Sequence, residues 1–140
     1  MRTSGHECSF CAVVHREDPD AREVYRDEHV VAFLPAEPAT LGHVLIVPHQ
    51  HIPDIWSLDT RTATQIGRAT IALADVVRRA LAPEGLNVIQ SNGAAAGQTV
   101  MHLHVHLVPR WSGDVIGSIW PPKTHYSDAE IDDIWKRLRV

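Results

Sequence analysis

Residues 98–110 read Gln-Thr-Val-Met-His-Leu-His-Val-His-Leu-Val-Pro-Arg. His102, His104 and His106 alternate with Leu103, Val105 and Leu107. In an extended chain, side chains two apart share a face. Three imidazoles are therefore expected on one side of a strand and three aliphatics in a core on the other. A half-buried strand needs only one apolar face, so the opposite face is free for chemistry. Same-face residues lie about 6.7 Å apart, which puts the outer pair about 13 Å apart. Neighbouring members could share a metal, but all three on a regular strand could hardly reach one ion through bonds near ~2.1 Å. The other reading is nucleophilic and acid–base work on an anion. Between Gly85 and Gly113 there is no Asp or Glu, which suits a negatively charged substrate. Directly upstream lies Asn92-Gly93-Ala94-Ala95-Ala96-Gly97-Gln98-Thr99, a small-residue loop whose backbone a phosphate could approach closely.

The stretch from Gln98 to Arg110 closely resembles the signature of the histidine triad (HIT) superfamily, His-φ-His-φ-His-φ-φ with φ apolar. Its Gln-Thr-Val opening and Pro-Arg ending look most like the fragile-histidine-triad hydrolases and their bacterial relatives. Gly42-His43 followed by Val44–Val47 and Pro48 resembles the second block of that family. The resemblance covers about residues 8–110. It implies hydrolysis or transfer at a nucleotide α-phosphate, through a nucleotidyl-histidine intermediate on His104. His106 is then expected to hold the phosphate oxygens, His43 to orient or protonate within the triad, and His102 to buttress His104 while its other nitrogen ligates zinc. Substrate contacts fall to Asn92, Gly97, Gln98 and Thr99, with Gln98 positioning the bridging atom and attacking water. The leaving group is open between a phosphoramidate amine and a dinucleoside polyphosphate. Pro35 departs from the pattern, because many family members carry Asp or Asn there to hold the ribose hydroxyls. Two rival classes are a metal-dependent phosphohydrolase and a non-catalytic nucleotide-binding module.

Both cysteines fall in Cys8-Ser9-Phe10-Cys11. A redox pair belongs in a thioredoxin-like βαβ pattern, which is absent. A zinc half-site needs two further ligands, and the chain has ten histidines to offer. The resemblance supplies His51 and His102, giving a structural zinc held by Cys8, Cys11, His51 and His102. His49 competes with His51, and His6 or His15 could lie nearby. No organic cofactor is expected.

The rest of the chain fits an α+β fold with an antiparallel sheet of about five strands, a long central helix and a C-terminal helix. One HIT-like domain should span residues 1–140, with an extension after residue 110. Strands are expected at 23–26, 29–34, 44–47 and 86–90, besides the triad strand. Ser57 or Asp59 can cap a helix running to Leu81, with Ile66, Thr70, Leu73, Val77 and Leu81 as its apolar stripe. Arg61, Arg68, Arg78 and Arg79 should form its solvated face. After Arg110, Trp111 and Trp120 lie in an irregular stretch and are expected to pack in the core, the alternative being to cover a substrate or a subunit interface. Ser127-Asp128-Ala129-Glu130 reads as a capping box for a last amphipathic helix, which should pack on the domain or on a partner subunit. The resemblance also implies a homodimer. A net charge of −4 argues against nucleic-acid polymers. No apolar run approaches the ~20 residues of a membrane span and no signal peptide opens the chain, so a cytoplasmic protein is expected.

Overall fold

The computed structural model describes residues 8–140. Five antiparallel strands form one sheet in the order β1-β2-β3-β5-β4. They are β1 (Arg22–Arg26), β2 (Val30–Leu34), β3 (Val44–Pro48), β4 (Gly85–Gln90) and β5 (Val105–Arg110). The β1–β2 turn is held by Asp27, whose Oδ1 accepts from the amides of His29 and Val30. His29 itself is exposed.

Helix α2 (Thr60–Leu81) covers one face of the sheet. Its N-cap is Asp59, whose carboxylate accepts from the Thr62 amide, and not Ser57. Ile66, Ala69, Leu73 and Val77 are the residues it buries, against Val30, Ala32, Val44, Ile46, Leu103, Val105 and Leu107. Ala69 was not expected in this stripe. Thr70 is half-buried, and Leu81, expected to be buried, is exposed. The four arginines of the helix are exposed, as their spacing indicates. The helix ends with Ala82 in the left-handed region, whose amide donates to the Arg78 carbonyl.

A short helix that periodicity does not reveal, α1 (Ser9–Val14), packs on the other face. Val13 and Val14 bury themselves against Val31, Phe33, Leu45 and Val47, and Phe10 packs onto this cluster. Cys8 caps α1, with Sγ accepting from the Cys11 amide at 3.3 Å. The sheet is thus closed by a long helix on one side and only partly by a six-residue helix on the other. That leaves part of the α1 face open beside β3 and β5.

The last helix, α3 (Asp128–Leu138), has the full capping box between Ser127 and Glu130. All its side chains are exposed, including Ile131, Ile134, Trp135 and Leu138. It therefore does not pack into the domain core. Trp111 is half-buried, but Trp120 is 83% exposed, which corrects the expectation of core packing. The segment leading to it is anchored instead by Arg110, which pairs with Asp114 at 2.7 Å and also donates to Asn87. No helix among the described residues is long and apolar enough to cross a membrane.

Candidate active site and metal centre

The three histidines do not all ride on a regular strand. β5 starts at Val105, so only His106 belongs to it, while His102 and His104 lie in the irregular approach. The alternation persists through both parts: Leu103, Val105 and Leu107 enter the core under α2. Leaving the ladder frees carbonyls and rings for other partners, and His102 uses this freedom to turn toward α1.

The hydrogen bonds assign a tautomer to each imidazole. His104 Nδ1 lies 2.8 Å from the His102 carbonyl. A carbonyl only accepts, so Nδ1 carries the proton and Nε2 of the neutral ring carries the lone pair. His43 is buried just before β3, and the Ala39 amide donates to its Nδ1 at 3.0 Å. His43 must then hold its proton on Nε2, which lies 2.9 Å from His106 Nδ1. His106 accepts at Nδ1 and keeps its own proton on Nε2. The chain Ala39 N–H, His43, His106 thus ends in a donor, whereas His104 ends in a lone pair. The His104 and His106 rings stand 4.8 Å apart.

Burial keeps these rings neutral. It lowers the His104 pKa below the usual imidazole value, with the bond to the His102 carbonyl opposing it. Burial lowers His43 as well, helped by the charge His104 would carry. His106 is pushed down to about 4 by burial and then by His104 and His43. At neutral pH the group can therefore offer one nucleophilic nitrogen and one N–H donor side by side.

His43, His104 and His106 open onto a cavity of about 400 Å³. Phe10, Val13, Phe33 and Leu45 supply apolar walls, and Thr99 and Val100 close one side. Phe10 stands edge-on to His104, with centroids 4.9 Å apart. Pro35 lies at the cavity as the alignment of motifs implies, accompanied by Asp18, Asp20, Arg22 and Glu37. These four charged residues were not identified from sequence, since only the folded sheet brings them to the histidines. Phe10 was missed as well; its place between two cysteines drew attention to the sulfurs alone.

The loop before the triad is a clamp. Gln98 is buried, with Oε1 accepting from the Gly93 amide and Nε2 donating to the carbonyls of Pro53 and Val100. Asn92 accepts from the Ile55 amide and exchanges hydrogen bonds with Gln90. Neither amide lines the cavity, whereas Thr99 does. Gly97 closes the turn at φ +91°, where a side chain would be strained.

A second cluster joins α1 to the triad. Cys8 Sγ, Cys11 Sγ, His51 and His102 offer four donor atoms lying within 4.8 Å of one another. His102 Nε2 lies 2.9 Å from the Pro48 carbonyl, so its proton sits there and Nδ1 faces the sulfurs with a lone pair. Nδ1 is 3.5 Å from Cys8 Sγ and 3.4 Å from Cys11 Sγ, and His51 Nδ1 is 3.2 Å from Cys11 Sγ. A tetrahedral ion with bonds near ~2.3 Å to sulfur and ~2.1 Å to nitrogen needs such spacings. The donors fit a metal. Burial and the neighbouring Cys8 thiol raise Cys11 to about 11, so an ion must displace a tightly held proton. His49 and His15 are not in the donor group, and His6 lies outside the described residues.

A family model for the HIT domain matches residues 16–113. The chain belongs to the HIT family. Among curated relatives, Protein hit of Bacillus subtilis is 39% identical over 91% of this chain and 86% of its own. An adenosine 5′-monophosphoramidase of Schizosaccharomyces pombe is 31% identical over 81% of this chain and 83% of its own. Among solved structures, a HIT family member from B. subtilis superimposes with a TM-score of 0.86 at 35% identity, over 95% of both chains. A Zn-bound histidine triad family protein from Mycobacterium smegmatis gives 0.74 at 34% identity, over 84% of each. These HIT neighbours carry the same α+β architecture as the sheet and helices described above.

Proposed function

We propose that this HIT protein is a nucleotidyl hydrolase or transferase acting at the α-phosphate of a nucleotide derivative, through a nucleotidyl-histidine on His104. The observation that carries the reading is the opposed tautomers of His104 and His106. A bare Nε2 on His104 attacks phosphorus. The Nε2–H of His106 donates to a phosphate oxygen as charge builds, and stabilisation of this kind is worth about 100-fold or more. His43 is a positioning residue that fixes the His106 tautomer. Over the two steps one water is consumed, its hydroxyl going to phosphorus and its proton to the leaving group. Covalent catalysis divides one hard displacement into two easier ones. The S. pombe relative, named for a phosphoramidase activity, supports this class.

The apolar walls suit a nucleoside, and Thr99 is the side chain of the expected substrate set that lines the cavity. Gly97 shapes the loop, and Gln98 and Asn92 act by holding it in place. Among the described residues Arg22 is the single cation lining the cavity, against Asp18, Asp20 and Glu37. That balance favours a substrate with one phosphate over a dinucleoside polyphosphate.

The metal is zinc in this reading, held by Cys8, Cys11, His51 and His102 in a structural role. Four protein donors leave no open coordination position, which disfavours the metallohydrolase alternative. When bound, zinc cross-links α1 to the triad approach. A reducing, cytoplasmic setting keeps such thiols available as ligands. A homodimer is supported by the exposed Ile71 and Val76 of α2 and Val88 of the edge strand β4.

Intact-mass spectrometry after an acid-free quench tests the chemistry, using an adenosine phosphoramidate and a diadenosine polyphosphate. An adenylyl adduct that is lost in His104→Ala is expected, with the phosphoramidate as the better donor. Tight monophosphate binding without turnover of either donor would instead make this a nucleotide-binding module.

A further inference from the structure

The functional reading gives the two sulfurs of the metal centre a structural task alone, yet they differ in access. Cys11 is buried, whereas Cys8 is half-buried and lines a cavity of about 380 Å³ together with His51 and Met101. Both of those neighbours are exposed, so the cavity is open to small solutes. A sulfur that ligates a metal is a thiolate, the form of cysteine that attacks electrophiles. The Cys11 amide also donates to Cys8 Sγ at 3.3 Å, which stabilises negative charge there. Both sulfurs belong to one donor group whose atoms lie within 4.8 Å of one another, close enough for side-chain rotation to join them. The chain has no third cysteine to compete for either.

We infer that Cys8 is a site of oxidative modification by hydroperoxides, with Cys11 as its resolving partner, and that the modification opens the metal centre and disables the nucleotide cavity. This rests on the zinc assignment and the nucleotidyl-transfer reading above. Cys8 Sγ attacks the outer oxygen of the peroxide, the O–O bond breaks, and the departing alkoxide takes a proton from solvent. Cys11 Sγ then attacks the sulfenic sulfur of Cys8, forms the S–S bond and expels hydroxide, which takes a second proton. Two thiolates, one hydroperoxide and two protons thus give one disulfide, one alcohol and one water. His51 and His102 are then the donors left, half of what a structural zinc site needs, so they no longer retain the ion. Two contacts carry this loss to the cavity. Phe10 sits between the two sulfurs and stands edge-on to His104 at 4.9 Å, so its place depends on the turn that the ion cross-links. His102 loses its partner at Nδ1, and its carbonyl is the atom that fixes the His104 tautomer at 2.8 Å.

The experiment titrates the reduced, zinc-loaded protein with hydrogen peroxide. Zinc release is followed with a chromogenic chelator, the sulfurs by peptide mass mapping, and adduct formation with an adenosine phosphoramidate in single turnovers. One zinc should leave for each Cys8–Cys11 disulfide formed. Adduct formation should fall about tenfold, the worth of one displaced aromatic wall, and should return with dithiothreitol and zinc. Stripping the ion from the reduced protein with a chelator should cause the same loss. Cys8→Asp keeps a helix cap and a metal ligand but has no attacking sulfur. Peroxide should release its zinc at least about tenfold more slowly, because only the buried Cys11 remains. Zinc retained after the disulfide forms, thiols oxidised without a disulfide, or a smaller loss of adduct on stripping than on oxidation would each overturn the switch. These three are read on the natural protein, so they decide the matter even if Cys8→Asp holds no ion. A reduced, zinc-loaded protein that forms no adduct at His104 would overturn the nucleotidyl-transfer reading instead, and zinc release with the disulfide would still decide the chemistry at Cys8.

Discussion

Replacing His43 by alanine isolates the tautomer relay. Its Nε2–H donates to His106 Nδ1 at 2.9 Å, and its own Nδ1 is fixed by the Ala39 amide. Without it, His106 loses a buried donor and is free to move its proton to Nδ1, which turns its lone pair toward the phosphate. Loss of such a bond costs about 1–2 kcal/mol, a factor of about 5–30 in adduct formation. Removing His106 itself should cost about 100–1000-fold, as for other donors to developing charge. If His43 acts only through His106, the two losses are not additive. His43→Ala in a His106→Ala background should then change the rate less than twofold. The assay is single-turnover adduct formation for the four proteins of the cycle, with thermal melts to show that each is folded. Losses that multiply in the double variant would refute the relay and place His43 on the substrate directly.

Cys11→Ser should abolish stoichiometric zinc binding, read by elemental analysis, and lower the melting temperature, because a structural ion adds its binding free energy to the fold. A variant that retains the ion with unchanged stability would remove Cys11 from the ligand set. The pH dependence of stability follows from the buried histidines. His106 has a folded-state pKa of about 4, below the ordinary 6.5, so protons bind more tightly to the unfolded chain. Its contribution is present above about pH 6.5 and is lost as pH falls through the window toward 4, with a slope of at most about 1.4 kcal/mol per pH unit. Urea midpoints across that range should fall less steeply in His106→Gln. Gly42→Ala should destabilise by at least about 1–2 kcal/mol, because Gly42 has φ +97° and a Cβ there would run into Leu81 and Pro109. A melt within a degree of the natural protein would show that this loop relaxes freely.

Much of the frame is written in local patterns. The β1–β2 turn, α2 and the capping box of α3 follow from short stretches of sequence whose signals agree. The alternation at 102–107 gave the right faces even though the strand itself begins at Val105. It misled about regularity, because periodicity of two describes any extended chain, whether or not a ladder pairs it. Helix α1 escaped notice for a different reason: six residues are too few for a helical period, and its cap is a cysteine sulfur. The roles foreseen for Gln98 and Asn92 show a further limit. An amide in a phosphate-like loop reads the same whether it faces a ligand or the backbone, and here it faces the backbone. The acidic rim of the cavity was invisible because Asp18, Asp20 and Glu37 are distant in sequence from the triad.

The same side chain occurs three times within five residues, yet each copy is given a different chemistry by a backbone atom of another residue. The Pro48 carbonyl takes the proton of His102 Nε2 and turns its Nδ1 into a metal donor. The carbonyl of His102 takes the Nδ1 proton of His104 and leaves Nε2 bare. The Ala39 amide, through His43, makes His106 a donor. Two of these three atoms belong to the strand β3 and the turn before it, and the third to the irregular approach to β5. This accounts for the departure from regular strand geometry at His102 and His104. In a continuous ladder the His102 carbonyl would face a neighbouring strand, and His104 would have no acceptor to select its tautomer. The irregular approach thus costs a few ladder hydrogen bonds and in return differentiates three otherwise identical imidazoles.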